Sequence, residues 1–370
     1  DAMFMIADML YASEDYKKAG ALYEKAIGMT VKDGKRPNPR NYKKLADCYR
    51  QIGLDEIAMD VLRRGVRKDP GIIDSIIVTG ETQHAAGEYD KALETYKSVI
   101  GLTRAKDPDL YYHIGRVHRV KADNLEDKAK QATEQKAEVI QKQAQLQRLK
   151  ELESIERAVS MRPSDKELLQ ELAVTMYHSL GLRDEAYVFD RLAKEEGTNR
   201  YDVQKGLADV CYKYENYNWA RTKYKTGIRV CERELKKAKD EKEKQECKQN
   251  LFLLKVRLAV TEAQKGNMEA AQQSLDELVK ENPDHAYIHY AKGEIALIKE
   301  ETESGIAELK KALELDASLD YAANALRKHY VKQGKVEEAI KVMESFVEQN
   351  PYDKMMKLEL QRLKLSAEEV

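Results

Sequence analysis

Two histidines, His285 and His289, stand four residues apart, the spacing that puts both imidazoles on one face of a helix where a metal ion could bridge them. The competing reading is that His289 fills a packing position. His113 and His118 are five apart and face different sides of a helix. Cys48, Cys211, Cys231 and Cys247 are widely separated and form no Cys-x-x-Cys pair. That spacing argues against a zinc site or a disulfide framework and for free thiols in a reducing compartment. Carboxylates are so abundant that no pair stands out for acid–base work. A phosphate-binding loop, a Gly-x-Ser-x-Gly elbow and a His-Glu-x-x-His helix are all missing from the sequence. The chain is therefore read as non-catalytic, with no catalytic, cofactor-binding or metal-binding residues and no cofactor.

Residues without chemistry of their own must act by position. In 370 residues, 64 basic side chains face 65 acidic ones, a formal charge of −1, so no global field steers the chain to nucleic acid. No apolar run is long enough to span a bilayer, which argues against membrane insertion. The 21 tyrosines far outnumber the 4 phenylalanines and suit half-buried positions, where the ring packs and the hydroxyl stays wet. The sequence begins at Asp1, without Met and inside a helical pattern. An N-terminal piece is thus expected to be missing. That leaves a periplasmic or exported location open beside a cytoplasmic one.

Proline interrupts helix interiors, so Pro37, Pro39, Pro70, Pro108, Pro163, Pro283 and Pro351 are expected to mark gaps between helices. Between them apolar residues recur at steps of three and four, with little alternation, which predicts an all-α chain. One frame returns throughout. Leu45-Ala46, Tyr49, Gly53, Ala58, Leu62 and Pro70 correspond to Gly80, Gly87, Tyr89, Ala92 and Tyr96. They correspond again to Leu207-Ala208, Cys211, Tyr217, Ala220 and Tyr224, to Leu258-Ala259, Gly266, Ala271 and Pro283, and to Leu326, Tyr330, Gly334, Ala339, Phe346 and Pro351. Ala58 to Ala92 is 34 residues, as are Ala186 to Ala220 and Gly305 to Ala339. This pattern resembles the tetratricopeptide repeat family, in about nine units over nearly the whole chain.

The resemblance implies a right-handed superhelical solenoid of antiparallel helix pairs, here a single array over 1–370. Small residues such as Ala46, Ala58 and Ala220 let helices approach, large ones such as Tyr96 and Tyr224 fill between pairs, and Gly53, Gly87, Gly181, Gly266 and Gly334 close turns. His289 then falls where a repeat puts a large packing side chain. The register breaks twice, since Ala92 to Ala186 spans 94 residues and Ala220 to Ala271 spans 51. The first excess predicts an inserted or extended helix at 123–150 in the fourth repeat. With no Gly or Pro from Asn124 to Arg162, it is read as part of one helix from Leu125 to Met161. The second predicts a charged helical-hairpin extension at 232–250, between the sixth and seventh repeats. Residues 352–370 are read as a C-terminal capping helix.

In this family the first helix of each repeat lines a concave groove. Carried over, the polar groove positions are Lys43, Asp47 and Arg50 in the second repeat, Arg116 in the fourth, and Lys205 and Asp209 in the sixth. Some members clamp a C-terminal carboxylate with Lys, Asn and Arg. Asp47 and Asp209 stand where Asn is needed, which argues against that ligand. The later repeats differ. Leu253, Val256 and Val260, then Tyr287, Tyr290, Glu294, Leu297 and Ile298, and lastly Asn324 and Lys328, are expected to form a largely apolar groove for a partner protein's peptide or amphipathic helix. The function read from this is a non-catalytic scaffold or adaptor. The alternative is a structural component of a large assembly that uses its insertions and ends for polymerising contacts, including self-assembly.

Overall fold

The computed structural model describes residues 2–67, 72–102, 107–182, 186–190, 194 and 200–368. Among the described residues every regular element is a helix and no strand occurs. In chain order these are α1 (Ala2–Ala12), α2 (Tyr16–Lys32), α3 (Pro39–Gln51), α4 (Asp55–Val66), α5 (Ile73–Ala85), α6 (Tyr89–Lys97), α7 (Asp107–Lys130), α8 (Glu134–Met161) and α9 (Lys166–Val174). A π turn, Thr175–Ser179, extends α9, and 186–190 is helical (α10). Then follow α11 (Tyr201–Lys213), α12 (Tyr217–Lys237), α13 (Glu241–Gln264), α14 (Met268–Glu281), α15 (Ala286–Ile298), α16 (Thr302–Leu315), α17 (Asp320–Lys332), α18 (Val336–Gln349) and α19 (Lys354–Glu368).

Local chemistry sets the helix ends. Asp15 accepts from the Lys18 N–H, Asn38 from the Arg40 N–H beside Pro39, and Asp165 from the Glu167 and Leu168 N–H groups, each satisfying a donor the first turn leaves orphaned. Pro37, Pro163, Pro283 and Pro351 lie between helices, while Pro39 and Pro108 occupy first turns, where the missing N–H costs nothing. Pro70 lies outside the described residues. Gly53 and Gly334 close their turns at φ 76° and 73°, the left-handed region. Glu215 and Glu300 take the same place at φ 62° and 65° and carry a side chain there, at a conformational cost.

The chain divides into two compact units, residues 1–147 and 148–370, where the sequence predicted a single array; the boundary falls within α8. In the first unit Tyr23, Leu45, Leu62, Ile76 and Tyr96 are buried in one core. Leu45, Leu62 and Ile76 each contribute about 1.5–3 kcal/mol by leaving water. Gly80 lies under the Tyr96 ring, only 2.3 Å from where a Cβ would stand. In the second unit the core includes Tyr224, Leu254, Ile288 and Leu309. There Gly293 lets α15 meet α16, since a Cβ would fall 2.6 Å from the Leu309 side chain.

The single helix read from Leu125 to Met161 is instead two. α7 ends at Lys130 with tightened bonds from Gln131 N–H to Lys128 O and from Ala132 N–H to Ala129 O, both 3.2 Å. Helix α8 then starts behind Thr133, whose carbonyl accepts from the Ala137 N–H at 2.8 Å. Extra length is therefore shared by two helices of 24 and 28 residues. Helices α12 and α13, of 21 and 24 residues, are likewise long, and their tips on either side of Ala238–Asp240 are mostly solvent-exposed. In α19, Met356 is buried against Ala323, Met343 and Phe346.

Candidate functional site

The second unit holds a cavity of about 520 Å³ walled by first helices of successive pairs. Helix α11 supplies Lys205, Asp209, Tyr212 and Lys213, which recur at three- and four-residue steps and so share a face. Helix α13 supplies Arg257, α15 supplies Tyr290 and Glu294, α17 supplies Asp320, Tyr321, Asn324, Arg327 and Lys328, and α19 supplies Glu359. Val188, Phe189, Ala325 and Met356 add apolar wall.

At its back lies Arg257, 2% exposed. Its guanidinium is held between two rings, 4.3 Å from the Tyr212 centroid and 4.2 Å from that of Tyr321. Its Nε donates to the Tyr224 hydroxyl at 2.9 Å, one amino group to the Tyr290 hydroxyl, and the other to Asp209 Oδ1 at 3.2 Å. Asp209 also accepts from the Tyr224 hydroxyl, from the Tyr321 hydroxyl at 2.8 Å and from Lys205 at 3.1 Å. Burial alone would push the Asp209 carboxyl up, but Lys205, Arg257 and the two hydroxyls outweigh it and hold it below the usual range. With its donors satisfied by oxygen and π faces, a buried guanidinium avoids the several kcal/mol that an unpaired one would cost.

A second network ties α19 to the opposite wall. Lys213 Nζ lies 2.7 Å from Glu156 and 2.8 Å from Glu359, and the Tyr214 hydroxyl donates to Glu156 at 2.8 Å. Arg362 stands 3.8 Å from both Glu153 and Glu359. Burial opposes ionisation of Glu359, yet Lys213, Arg362 and Arg327 hold its carboxyl far below the ordinary range.

The remaining charges lack such partners. Arg327 donates through Nε to Asn324 Oδ1 at 3.2 Å, and among the described residues its two amino groups make no hydrogen bond within the chain. Lys328 sits 5.6 Å over the Tyr212 ring and forms no ion pair among the described residues. Though open to the solvent of the cavity, it has protein around it. That enclosure, countered by Glu294 and reinforced by Arg327, Arg257 and Lys213, brings its ammonium down to about 8. Asp320, eight residues earlier on the same helix, is pushed up to about 6 by burial and by Asp209 and Asp353, against the pull of Lys205 and Arg257.

This arrangement corrects the expected apolar groove. Val256 and Val260 are fully buried and Tyr290 is 1% exposed, all within the unit's own core. Tyr287, Leu297 and Ile298 are half-buried against that core, and Leu253 is half-buried as well. The first helices wind closely enough to consume this face, so it is unavailable to a partner helix. Tyr290, Glu294, Asn324, Lys328, Lys205 and Asp209 are brought together at the cavity. Lys43, Asp47, Arg50 and Arg116 belong to the first unit. There Arg50 pairs with Asp47 at 2.7 Å within α3, burial pushes the Asp47 carboxyl up, and Lys43 and Arg116 are exposed.

Arg257, Arg327, Asp320 and Glu359 were not singled out from the sequence. Arg257 had a signal: it interrupts the apolar run Val256, Leu258, Ala259 and Val260, where a charge must be buried with partners. His289 is buried, its Nδ1 2.6 Å from Glu308, and His285 caps α15 by accepting from the Tyr287 N–H. Among the described residues no group of His, Cys, Asp or Glu is placed to hold a metal ion.

Tetratricopeptide repeat family profiles match residues 1–30 and 256–320. The helix pairs between those stretches follow the same recurrent frame, so the chain carries tetratricopeptide repeats stacked as a helical array. It is 31% identical over 88 residues, 24% of its length, to the Hsp70-Hsp90 organizing protein 1 of Glycine max; the match spans only 14% of that relative. Among solved structures it is similar to a tetratricopeptide repeat protein from Parabacteroides merdae, at 16% identity and a TM-score of 0.32, covering 79% of this chain and 98% of that one. It is also similar to yeast Tom70, at 12% identity and a TM-score of 0.26, covering 99% of this chain and 96% of that one.

Proposed function

We propose that the chain is a non-catalytic adaptor that receives an extended segment of a partner protein in the cavity of its second unit. The observation that carries this is the cavity itself: apolar wall, aromatic rings and a few charged groups without partners converge on one concavity, the usual make-up of a recognition site. The similarity to a chaperone-organizing protein, whose name describes bringing two others together, supports an adaptor role.

A photo-cross-linking amino acid at Asn324, inside the cavity, tests this against the same group at Gln272, which lies outside it. Irradiation in the native cell extract should join Asn324 to a discrete partner peptide. Equal or absent cross-linking at the two positions would refute the cavity as the partner site.

A further inference from the structure

Charged side chains without an ion pair line both ends of the cavity. At one end of α17, Lys213 is committed to Glu156 and Glu359, and Arg257 to Asp209. Arg327 and Lys328 stand beside Glu294, which is itself engaged by the Tyr212 hydroxyl at 2.9 Å, and Arg327 also faces Glu359, yet neither cation has an ion pair among the described residues. At the other end Lys205 is committed to Asp209, and Asp320 and Asp353 are left without a cation of their own among the described residues. Between the two ends lie Tyr321, Asn324 and Ala325, with Phe189 and Met356 also on the wall.

Asp320 and Lys328 are eight residues apart on one helix, about 12 Å along its axis at 1.5 Å per residue. An extended chain advances about 3.3 Å per residue and turns every second side chain to the same side. Side chains four positions apart on a strand are therefore about 13 Å apart and face one way. The two spacings agree. On this geometry, and resting on the cavity being the partner site, we infer that the ligand is an extended peptide carrying one acidic and one basic side chain four residues apart, its carboxylate on Arg327 and Lys328 and its cation at Asp320 and Asp353.

A dianion such as a phosphate fits worse. Arg327 and Lys328 share their end of the cavity with Glu294 and Glu359, which would repel a second negative charge. An amphipathic helix fits worse too, because acid and base four residues apart on a helix are only about 6 Å apart along its axis.

Selection of a random seven-residue peptide library, displayed on phage, against the immobilised full chain reads this directly. Enriched sequences should carry Asp or Glu and Lys or Arg at a spacing of four, in one order. In Lys328→Glu the preference for the acid should fall at least tenfold, and in Asp320→Asn the preference for the base should fall. Both positions lie on the cavity wall, and helix content by circular dichroism checks that each variant folds. Enrichment of apolar or differently spaced peptides that compete at Asn324 would overturn the acid–base pairing and keep the cavity as the partner site. Enrichment of nothing above a bare-resin control would count against both. Preferences unmoved by Lys328→Glu would overturn the placement of the carboxylate.

Discussion

The two units run the same repeat pattern and use their inner positions differently. In the first, the groove-position charges act locally: Arg50 meets Asp47 within one helix, and Lys43 and Arg116 stay in solvent. In the second, equivalent positions reach across repeats. Tyr212 donates to Glu294, Tyr321 to Asp209 and Lys213 to Glu359, contacts that close loops of 82, 112 and 146 residues. Repeat identity fixes which residues face inward. How closely successive first helices approach decides whether those residues face solvent or each other.

Removing the centre of the second unit should break this contrast most visibly. Arg257→Ala removes one of the cations that hold Asp209 and leaves two hydroxyls without their donor and a cavity behind, at a cost of about 3–5 kcal/mol. Arg116→Ala in the first unit should leave stability unchanged within error. Urea unfolding followed by hydrogen exchange resolves the units separately, and equal effects would erase the distinction. Next in size, Glu359→Gln weakens the tie of α19 to Lys213 and should cost about 1–3 kcal/mol. Exchange of the α19 amides should then speed up before that of α17; unchanged protection would mean that α19 is held by Met356 packing alone.

Acid sharpens the comparison further. The carboxyls of Asp209 and Glu359 are depressed in the folded chain, so their stabilisation is present above their ordinary values and is lost as pH falls below about 4. Asp47 in the first unit and Asp320 in the second are raised and contribute the opposite sign. But Asp8 and Asp90, lowered in the first unit, are exposed and those of the second are enclosed, so the second unit should be the first to loosen in acid. Peptide binding should have its own window. Asp320, faced by Lys205, Asp209, Arg257 and Asp353, must lose its proton near about 6. Lys328, faced by Glu294, Arg327, Arg257 and Lys213, must keep its proton, which it loses near about 8. Affinity should peak between these values, and a flat profile from pH 5 to 9 would contradict the pairing.

Much of the repeat architecture was legible in the sequence, because turns and close packing restrict residue type. The positive φ of Gly53, Gly87, Gly181, Gly266 and Gly334 follows from the phase alone. The same phase locates the turns at Glu215 and Glu300, where composition gives no hint. The smallest expected effect comes from there: Glu300→Gly should stabilise by at most about 1 kcal/mol, read as a slight rise in Tm. The break at Gln131–Thr133 was not legible, since no Gly or Pro marks it and the helix closes with three-residue backbone turns that any residue can make. The fate of Val256, Val260 and Tyr290 was hidden for another reason. Their repeat positions say inward, and only the approach of α11, α13, α15 and α17 says buried.

A double-mutant cycle on Asp209→Asn and Tyr321→Phe, 112 residues apart, measures that approach most directly. Closure of the second unit's inner face predicts a coupling of about 0.5–3 kcal/mol between the two substitutions. Strict additivity would mean that the first helices stand apart in solution, and with that the cavity and its ligand would have to be abandoned.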